Sequence, residues 1–232
     1  MESSVQMKVL IAEDNPKMQS MLTSLLDKEG FHTARADGGR QALRLYSEFQ
    51  PEIVCLDVMM DDLSGLDVCR EIRKKDADVT IIMVTSRSSE ADFAKGIEAG
   101  ANEYITKPYD LSDIAAKMRG SARRRIARDN PALYSEYFDF GDIRVYPGQL
   151  RAERGTDAME LNFRDICILR HFSENPGRAV APSELRRYCW EGHPAGEENL
   201  VPWHISQLRR KIEVDSDAPA LIRSADGGYL FA

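Results

Sequence analysis

Five side chains that could do chemistry each follow a short, mostly apolar run in the first half of the chain. In chain order they are Glu13, Asp14, Asp57, Thr85 and Lys107. The runs before them are residues 9–12, 53–56, 81–84 and 104–106. Carboxylate oxygens suit Mg²⁺, which takes one or two protein carboxylates together with phosphate oxygens. A hydroxyl and an ammonium group beside such an ion suit a phosphoryl group carried on a carboxylate.

The apolar runs also predict the sheet that positions these side chains. Runs of this length, separated by amphipathic stretches, are typical of buried parallel strands that alternate with helices. A short strand signal at residues 31–35 brings the number of strand–helix units to five. Five units with right-handed crossovers make a doubly wound, three-layer α/β sandwich. The carboxyl ends of its strands meet at one edge, where chemistry gathers. A single Asp at a strand end is most often a cap or turn residue, but three clustered acids need a cation among them.

The composition is that of a globular protein with room for two domains. Of the 232 residues, 43% are hydrophobic and 30% are charged. No stretch approaches the roughly 18–20 apolar residues of a membrane span, and the N-terminus lacks a signal-peptide core. The four cysteines form no C-x-x-C pair, so we expect free thiols in a reducing cytoplasm rather than disulfides or zinc ligands.

Charge is divided unevenly along the chain. The net charge is −7; residues 1–122 carry 15 basic and 21 acidic side chains, and residues 123–232 carry 16 and 17. A sequence pI near 5.3 gives only weak support for binding to nucleic acid. That function therefore has to rest on the pattern of one helix.

The sequence predicts a linker and a second domain after residue 122. An arginine-rich polar segment, 123–136, is interpreted as a linker between a first domain, 1–122, and a second domain, 137–232. Strand-like segments in the second domain are followed by helical stretches near 163–174, 182–189 and 197–213. The chain then forms two short strands around Asp226-Gly227-Gly228, a pattern typical of a β-wing.

The last helical stretch has two contrasting faces. At about 100° per residue, one face is apolar: Val201, Ile205, Leu208 and Ile212. The opposite face carries Asn199, Trp203, Ser206, Gln207 and Arg210. An amide can pair with adenine and an apolar surface can meet a thymine methyl, so this face is predicted to read DNA. The flanking residues His204, Arg209 and Lys211 are expected to contact phosphates. The alternative is a solvated amphipathic helix whose Trp203 covers a neighbouring loop.

Residues 7–122 resemble the receiver domain of two-component response regulators. The matching segments are Ile11-Ala12-Glu13-Asp14-Asn15, Asp57-Val58-Met59-Met60, Leu63-Ser64-Gly65, Val84-Thr85-Ser86, Gly100-Ala101-Asn102-Glu103-Tyr104 and Thr106-Lys107-Pro108-Tyr109. The resemblance implies a flavodoxin-like (βα)5 fold. It also implies that Asp57 accepts a phosphoryl group from a sensor histidine kinase.

The same resemblance implies roles for the residues around Asp57. The implied Mg²⁺ ligands are Glu13, Asp14, Asp57 and the backbone carbonyl of Met59. Thr85 and Lys107 would contact the phosphoryl oxygens, and Tyr104 would turn inward with Thr85 when the protein switches. Pro108 is a candidate for a cis peptide bond that aims Lys107.

Two positions depart from the family pattern. Asp61, followed by Asp62, stands where the family usually has proline. These acids either adjust metal affinity or kinase docking, or are solvated loop residues. Phe93 stands on the fourth helix where a basic residue usually pairs with an acid on the fifth, here Asp113. Phe93 either makes the dimer face more apolar or packs inward. Other candidate members of the dimer interface are Lys95, Glu103 and Lys117.

Residues 138–232 resemble the winged-helix effector domain of OmpR/PhoB-class response regulators. The matching segments are Leu161-Asn162-Phe163-Arg164-Asp165, Asn175-Pro176-Gly177-Arg178, Ser183-Glu184-Leu185, Trp190, Val201, His204-Ile205-Ser206, Leu208-Arg209-Arg210-Lys211-Ile212 and Gly228-Tyr229. Promoter DNA and RNA polymerase are the implied partners. The wing is one residue shorter than usual and has Asp226 where the class commonly places arginine, which disfavours phosphate. Arg223 and Ser224 are candidate contacts to the DNA backbone.

The leading hypothesis is a cytoplasmic transcription factor that is switched by phosphorylation and binds DNA half-sites as a homodimer. One alternative is a regulator that works without phosphorylation, and another is a signalling adaptor that has lost DNA binding. A phosphatase that uses the acidic site is a third. No second nucleophile or general base is visible in the sequence, so we do not expect an enzyme.

Overall fold

The structure is a computed structural model that describes residues 7–86, 89–190 and 200–231. The chain divides into two compact units, the first ending at Ala122 and the second beginning at Arg123. Within the described residues, no helix has both the length and the apolar character needed to cross a membrane. The cysteines are all free thiols, as expected: Cys55, Cys69, Cys167 and Cys189.

A five-stranded parallel sheet forms the centre of the first unit. Its strands are β1 (Lys8–Ala12), β2 (His32–Ala36), β3 (Ile53–Asp57), β4 (Thr80–Thr85) and β5 (Glu103–Thr106). They lie in the order β2-β1-β3-β4-β5, so the connections wind in both directions from β1. Every residue of β3 is buried, as expected for a central strand that is covered on both faces. The predicted doubly wound α/β fold is confirmed.

Helices alternate with these strands. They are α1 (Pro16–Glu29), α2 (Gly39–Phe49), α3 (Gly65–Arg73), α4 (Glu90–Glu98) and α5 (Leu111–Asp129). Side chains of Asn15, Ser64 and Ser89 accept backbone N–H groups at the starts of α1, α3 and α4. Helix α2 begins after Gly38, which has no side chain to do this. Helix α1 ends at Gly30 with φ of 89°, a left-handed conformation that favours glycine.

The segment predicted to be a linker is helical over most of its length. Residues 123–129 form the last turns of α5, although the sequence pattern placed the end of that helix earlier. Arginine and alanine are good helix formers, and Arg125 lies 3.1 Å from Asp129 at i,i+4 spacing. The next helix, α6 (Pro131–Ser135), begins after Asn130, whose side chain accepts the N–H of Leu133. Local helix propensity therefore makes most of the segment predicted as a linker helical.

The second unit combines a four-stranded antiparallel sheet, a group of helices and a two-stranded hairpin. The sheet contains β6 (Phe138–Phe140), β7 (Ile143–Tyr146), β8 (Arg151–Arg154) and β9 (Asp157–Glu160). The helices after it are α7 (Phe163–Ser173), α8 (Pro182–Cys189) and α9 (Leu200–Ile212). The hairpin consists of β10 (Ile222–Ala225) and β11 (Gly228–Phe231). The predicted winged-helix architecture with a β-wing is confirmed.

Candidate functional site

Glu13, Asp14 and Asp57 lie together at the carboxyl edge of the parallel sheet. Ala12 pairs with Leu56, so the ends of β1 and β3 bring these acids side by side. One oxygen from each carboxylate lies within 4.8 Å of the other two. Glu13 and Asp57 are only 2% and 5% exposed, whereas Asp14 is more accessible to solvent. The oxygen donors and their spacing fit a divalent cation such as Mg²⁺.

The ammonium group of Lys107 bridges the two buried carboxylates. Its Nζ lies 2.8 Å from Glu13 Oε2 and 2.6 Å from Asp57 Oδ2. Burial lowers the pKa of Lys107, but hydrogen bonds to Asp57 and Glu13 outweigh this and hold its pKa above the usual value. Burial raises the pKa of Glu13; the hydrogen bond from Lys107 opposes the rise and the charge of Asp57 adds to it. Lys107 is therefore a charged counter-ion inside the acidic cluster.

The two remaining strands bring a hydroxyl and the lysine to the same edge. Thr85 follows the β4 residue that pairs with Asp57, and it pairs in turn with Thr106 of β5. Thr85 is fully buried, and its carbonyl oxygen accepts the backbone N–H of Lys107 at 2.7 Å. The Lys107–Pro108 peptide bond is cis, as the sequence analysis anticipated. The register of the sheet thus gathers the predicted residues on adjoining strand ends.

The segment after Asp57 folds back over the Asp57 side chain. The backbone N–H of Met59 donates to Asp57 Oδ1 at 2.9 Å. The N–H of Gly65 donates to the carbonyl of Val58 at 3.1 Å. A Cβ on Gly65 would lie 2.1 Å from the carbonyl oxygen of Asp57, so the close approach requires glycine. We call residues 58–64 the β3–α3 loop.

A further polar residue, missed in the sequence analysis, supports the acidic edge. The side-chain amide of Gln19 is buried; its Nε2 lies 3.1 Å from Glu13 O, 3.0 Å from Ala36 O and 2.9 Å from Asp37 Oδ1. It therefore ties the end of β1 to the end of β2. The available signal was its position three residues before Leu22, on the buried face of α1.

The candidate dimer residues lie on α4, β5 and α5. Phe93 is 52% exposed, so the alternative of inward packing is wrong. Its ring meets Tyr104 edge to face with centroids 5.7 Å apart. Lys117 Nζ lies 3.7 Å from Glu103 Oε2. The other candidate members, both exposed, are Lys95 and Asp113. This surface combines an exposed phenylalanine, packed against the partly buried Tyr104, with an ion pair.

The two faces predicted for α9 are present. The buried apolar residues are Val201, Ile205, Leu208 and Ile212. On the other side Trp203 is 45% exposed, Ser206 and Arg210 are exposed, and Gln207 is partly exposed. Asn199, which was predicted on the same face, lies outside the described residues. Helix α9 therefore presents a polar surface with one large accessible indole.

Two residues predicted to flank that surface make contacts within the unit. His204 is 2% exposed, and its ring meets those of Trp190 and Trp203 with centroids 5.0 and 4.7 Å apart. The expectation that His204 contacts a phosphate is wrong because the ring is buried. Lys211 Nζ lies 2.6 Å from Oδ2 of the buried Asp165. Its charge pairs with that carboxylate, but the lysine side chain itself stays exposed. The phosphate contact of Lys211 therefore stays a prediction.

Arg209 connects α9 to the hairpin. Its Nε donates to Ile222 O at 2.8 Å, and its Nη2 donates to Ser224 Oγ at 3.2 Å. Arg209 and Ser224, both predicted to contact the DNA backbone, thus contact each other. Arg223 is exposed on β10, and Asp226 is exposed in the turn between the two strands. Arg223, which was predicted as a contact to the DNA backbone, is therefore accessible.

Comparisons with known families match both units. The family described as "Response regulator receiver domain" matches residues 9–119. The family described as "Transcriptional regulatory protein, C terminal" matches residues 156–231. A receiver unit followed by a winged-helix unit defines the class of two-domain transcription regulators. The chain belongs to the response regulators of the OmpR/PhoB type.

Similar curated proteins extend over almost the whole chain. The transcriptional regulatory protein TrcR of Mycobacterium tuberculosis is 30% identical over 224 residues, which cover 96% of this chain and 86% of TrcR. The DNA-binding response regulator MtrA of Mycolicibacterium smegmatis is 30% identical over 227 residues, which cover 97% of each. Both units are therefore matched, in the same order, within single relatives.

Solved structures support the fold of the first unit. The signal receiver domain of a putative Luxo repressor protein from Vibrio parahaemolyticus has a TM-score of 0.52 at 22% identity. That match covers 55% of this chain and 98% of the Vibrio domain. The Francisella response regulator 1452 receiver domain has a TM-score of 0.50 at 24% identity, over 51% of this chain and 98% of that domain.

The position of Lys107 predicts how the acidic cluster responds to a lysine deletion. Lys107→Ala removes a cation that competes for two of the three carboxylates, so Mg²⁺ should bind at least as tightly as in the wild type. Added Mg²⁺ should also raise the unfolding temperature by more than in the wild type, because it binds only the folded cluster. Calorimetric titration and thermal unfolding with MgCl2 measure the two effects. Lys95→Ala, at an exposed lysine of α4, is the matched control; loss of Mg²⁺ binding in Lys107→Ala alone would contradict the prediction.

Proposed function

We propose that this response regulator is a transcription factor switched by phosphorylation of Asp57, with a sensor histidine kinase as the phosphoryl donor. The observation that carries the proposal is the Lys107 bridge, 2.6 Å from Asp57 and 2.8 Å from Glu13. The buried Asp57 carboxylate lies beside the flexible side chain of Lys107 and two further acids. Such a carboxylate is suited to accept a phosphoryl group, because the cation can pair with its negative charge. The family match supports the same assignment for the first unit.

Asp57 is the nucleophile of the proposed transfer. A bond forms between its carboxylate oxygen and phosphorus while the N–P bond of the kinase phosphohistidine breaks, and the imidazole nitrogen keeps the electron pair. Such transfers depend on positioning and charge neutralisation more than on covalent chemistry by the protein. The proposed ligands of Mg²⁺, which supplies positive charge beside the transferred group, are Glu13, Asp14, Asp57 and the Met59 carbonyl. Lys107 then pairs with a phosphoryl oxygen, and the Thr85 hydroxyl donates to another.

The proposed switch runs from Thr85 to the surface on α4, β5 and α5. When the Thr85 hydroxyl turns to the phosphoryl group, it makes room for Tyr104, whose ring now packs against Phe93. Inward rotation of Tyr104 changes the exposed apolar area around Phe93. We propose that a second copy of the chain covers this surface, forming a homodimer upon phosphorylation.

The second unit is proposed to bind promoter DNA through α9. Trp203, Ser206 and Gln207 are accessible for base contacts in the major groove, and Arg210 and Arg223 are accessible for phosphates. The family match and the printed name of MtrA support DNA binding. The bound dimer would then act on RNA polymerase in the cytoplasm.

A second candidate function is that of a signalling adaptor with weak DNA binding. It is favoured by the internal contacts of Arg209 and Lys211, which divert two cations from the proposed interface. Asp226 adds a negative charge to the exposed wing. A phosphorylation-independent regulator is disfavoured, because the acids, Thr85 and Lys107 are all brought to one edge.

Phosphorylation is tested at Asp57. Incubation with a small acyl phosphate as donor and Mg²⁺ should add one phosphoryl group to the protein. Hydroxylamine should remove it, because hydroxylamine cleaves the acyl phosphate formed on an aspartate. Asp57→Asn should abolish the adduct, whereas Asp61→Asn, at a neighbouring exposed acid, should retain it. Intact-protein mass spectrometry measures the mass gain. Labelling that persists unchanged in Asp57→Asn would assign the acceptor to another residue.

Dimerisation is tested at Phe93. Apolar burial is not screened by salt, so the phosphorylated dimer should dissociate less with rising ionic strength than an interface built on ion pairs. Phe93→Arg places a cation opposite the family partner position, Asp113, and should make the dimer affinity more salt-dependent. Analytical ultracentrifugation at several salt concentrations measures this, with Ala91→Arg as a control for the added charge. An affinity unaffected by Phe93→Arg at every salt concentration would exclude Phe93 from the interface.

DNA reading is tested on the accessible face of α9. Gln207→Ala should cost roughly 1–3 kcal/mol at a selected site and relax the preference at one base pair. Arg210→Ala should weaken binding to all sequences and reduce the salt slope by about 1. Lys75→Ala, at an exposed lysine of the first unit, controls for lost charge. Electrophoretic mobility shift with a site selected from random DNA measures these effects. If no site can be selected, the adaptor function replaces the transcription factor.

The wing is tested separately at Asp226. Asp226→Arg should tighten binding to all sequences if the wing lies against phosphates, because it replaces repulsion with attraction. Unchanged affinity in Asp226→Arg, together with a loss in Gln207→Ala, would show that α9 reads DNA without the wing.

A further inference from the structure

We propose that Asp62 is a positioning residue, which fixes the β3–α3 loop by capping α2 and thereby sets the Mg²⁺ affinity of the site; this rests on the proposed function. From sequence, Asp62 is expected either to adjust metal affinity or kinase docking, or to be a solvated loop residue. Its contacts give it a different task from that of its neighbour Asp61.

The carboxylate of Asp62 is bound by two backbone N–H groups of α2. Gly39 donates to Oδ1 at 2.7 Å, and Arg40 donates to Oδ2 at 3.0 Å. Hydrogen bonding, with the Arg40 N–H first, holds the pKa of Asp62 below its usual range. Both N–H groups belong to the first turn of a helix, where no backbone acceptor is available to them. Asp62 thus occupies the acceptor position at a helix N-terminus, where negative charge is favoured.

Helix α2 needs this acceptor from elsewhere in the chain. Its own cap position is Gly38, which offers no side chain, whereas α1, α3 and α4 each begin with a local capping side chain. The glycines also allow the loop to approach. A Cβ on Gly38 would lie 2.7 Å from Asp62 Oδ1, and a Cβ on Gly39 would lie 2.4 Å from the carbonyl oxygen of Leu63.

The loop that Asp62 holds also contacts the phosphoacceptor. Three residues before Asp62, the N–H of Met59 donates to Asp57 Oδ1 at 2.9 Å. The loop also includes the carbonyl proposed as the fourth Mg²⁺ ligand. Movement of the loop would therefore displace the Met59 carbonyl, a proposed ligand. It would also disturb the hydrogen bond from the Met59 N–H to Asp57, a second proposed ligand. Outer contacts of this kind influence metal affinity by orienting the ligands.

The start of α2, to which Asp62 is hydrogen-bonded, is connected to the strand end that carries Glu13. The chain reaches α2 directly from β2, whose last residue, Ala36, accepts N–H groups from Glu13 at 3.1 Å and from Gln19 Nε2 at 3.0 Å. Asp62 therefore joins the loop after Asp57 to the same segment that supports the end of β1. The loop after Asp57 and the end of β1, which carry the proposed metal ligands, are therefore both hydrogen-bonded to the segment that joins β2 to α2.

Asp61 provides a matched comparison. It carries the same charge one residue earlier and is exposed, and within the described part of the chain its carboxylate has no hydrogen bond or ion pair. If the acids act through charge alone, removing either should have a similar effect. If Asp62 acts as a cap, only its removal should loosen the loop.

The test compares Asp62→Ala, Asp62→Asn and Asp61→Ala in the full chain. Asp62→Ala should speed hydrogen exchange of the Met59 amide, measured by NMR without metal. It should raise the Mg²⁺ dissociation constant about tenfold, which is the lower end of the affinity losses seen when residues that orient metal ligands are mutated. Asp61→Ala should do neither. Asp62→Asn keeps an acceptor for the N–H of Gly39, so its Met59 exchange rate and Mg²⁺ dissociation constant should lie between those of the wild type and of Asp62→Ala. At saturating Mg²⁺, the phosphorylation rate of Asp62→Ala should return close to that of the wild type.

Equal effects of Asp61→Ala and Asp62→Ala would overturn the proposal and show that both acids act through their negative charge alone. Unchanged exchange of the Met59 amide in Asp62→Ala would also overturn it. If Asp62→Ala does not fold, Asp62→Asn decides by the same two measurements. A wild type that binds no Mg²⁺ would refute the metal part of the proposed function, and Met59 exchange would still decide whether Asp62 holds the loop. Full loss of phosphorylation with normal Mg²⁺ binding would also contradict the positioning role.

Discussion

Negative charge at the carboxyl edge of the parallel sheet is the constraint on which the first unit depends. Two nearly buried carboxylates and a third more accessible one lie within 4.8 Å, a repulsive arrangement that a low-dielectric environment would strengthen. Lys107 lowers this cost by bridging Glu13 and Asp57. The folded chain thus carries an internal cation, and an ion or phosphoryl group that binds these two carboxylates would compete with that lysine.

The sequence predicted the elements of this site because each residue directly follows a recognisable strand. Parallel strands end at one edge, so Glu13, Asp57 and Thr85 could be placed together without knowledge of the fold's details. The supports of the site were harder to predict. Gln19 and Asp62 act through contacts between segments that are distant in sequence, and neither polarity nor spacing identifies the partner. The end of α5 was also placed too early, because helix propensity continues through the arginines.

The second unit shows how a polar pattern can be correct in outline and wrong in detail. The two faces of α9 followed from a period of 3.6 residues, and the exposed positions of Trp203 and Arg210 agree with it. His204 and Lys211 lie near the boundary between the faces, where a small rotation decides between solvent and core. His204 is buried against Trp190, whereas Lys211 stays exposed and pairs with the buried Asp165. Helical periodicity cannot resolve such boundary positions.

The contact between Gly38 and Asp62 has a consequence for how this chain can vary. Because a Cβ at Gly38 would lie 2.7 Å from the Asp62 carboxylate, a side chain at one position and an acid at the other compete for the same space. A serine or asparagine at position 38 could cap α2 locally, but it would displace the loop that Asp62 now holds. The two positions are therefore sterically coupled, and we expect a change at either one to be tolerated best when the other changes with it.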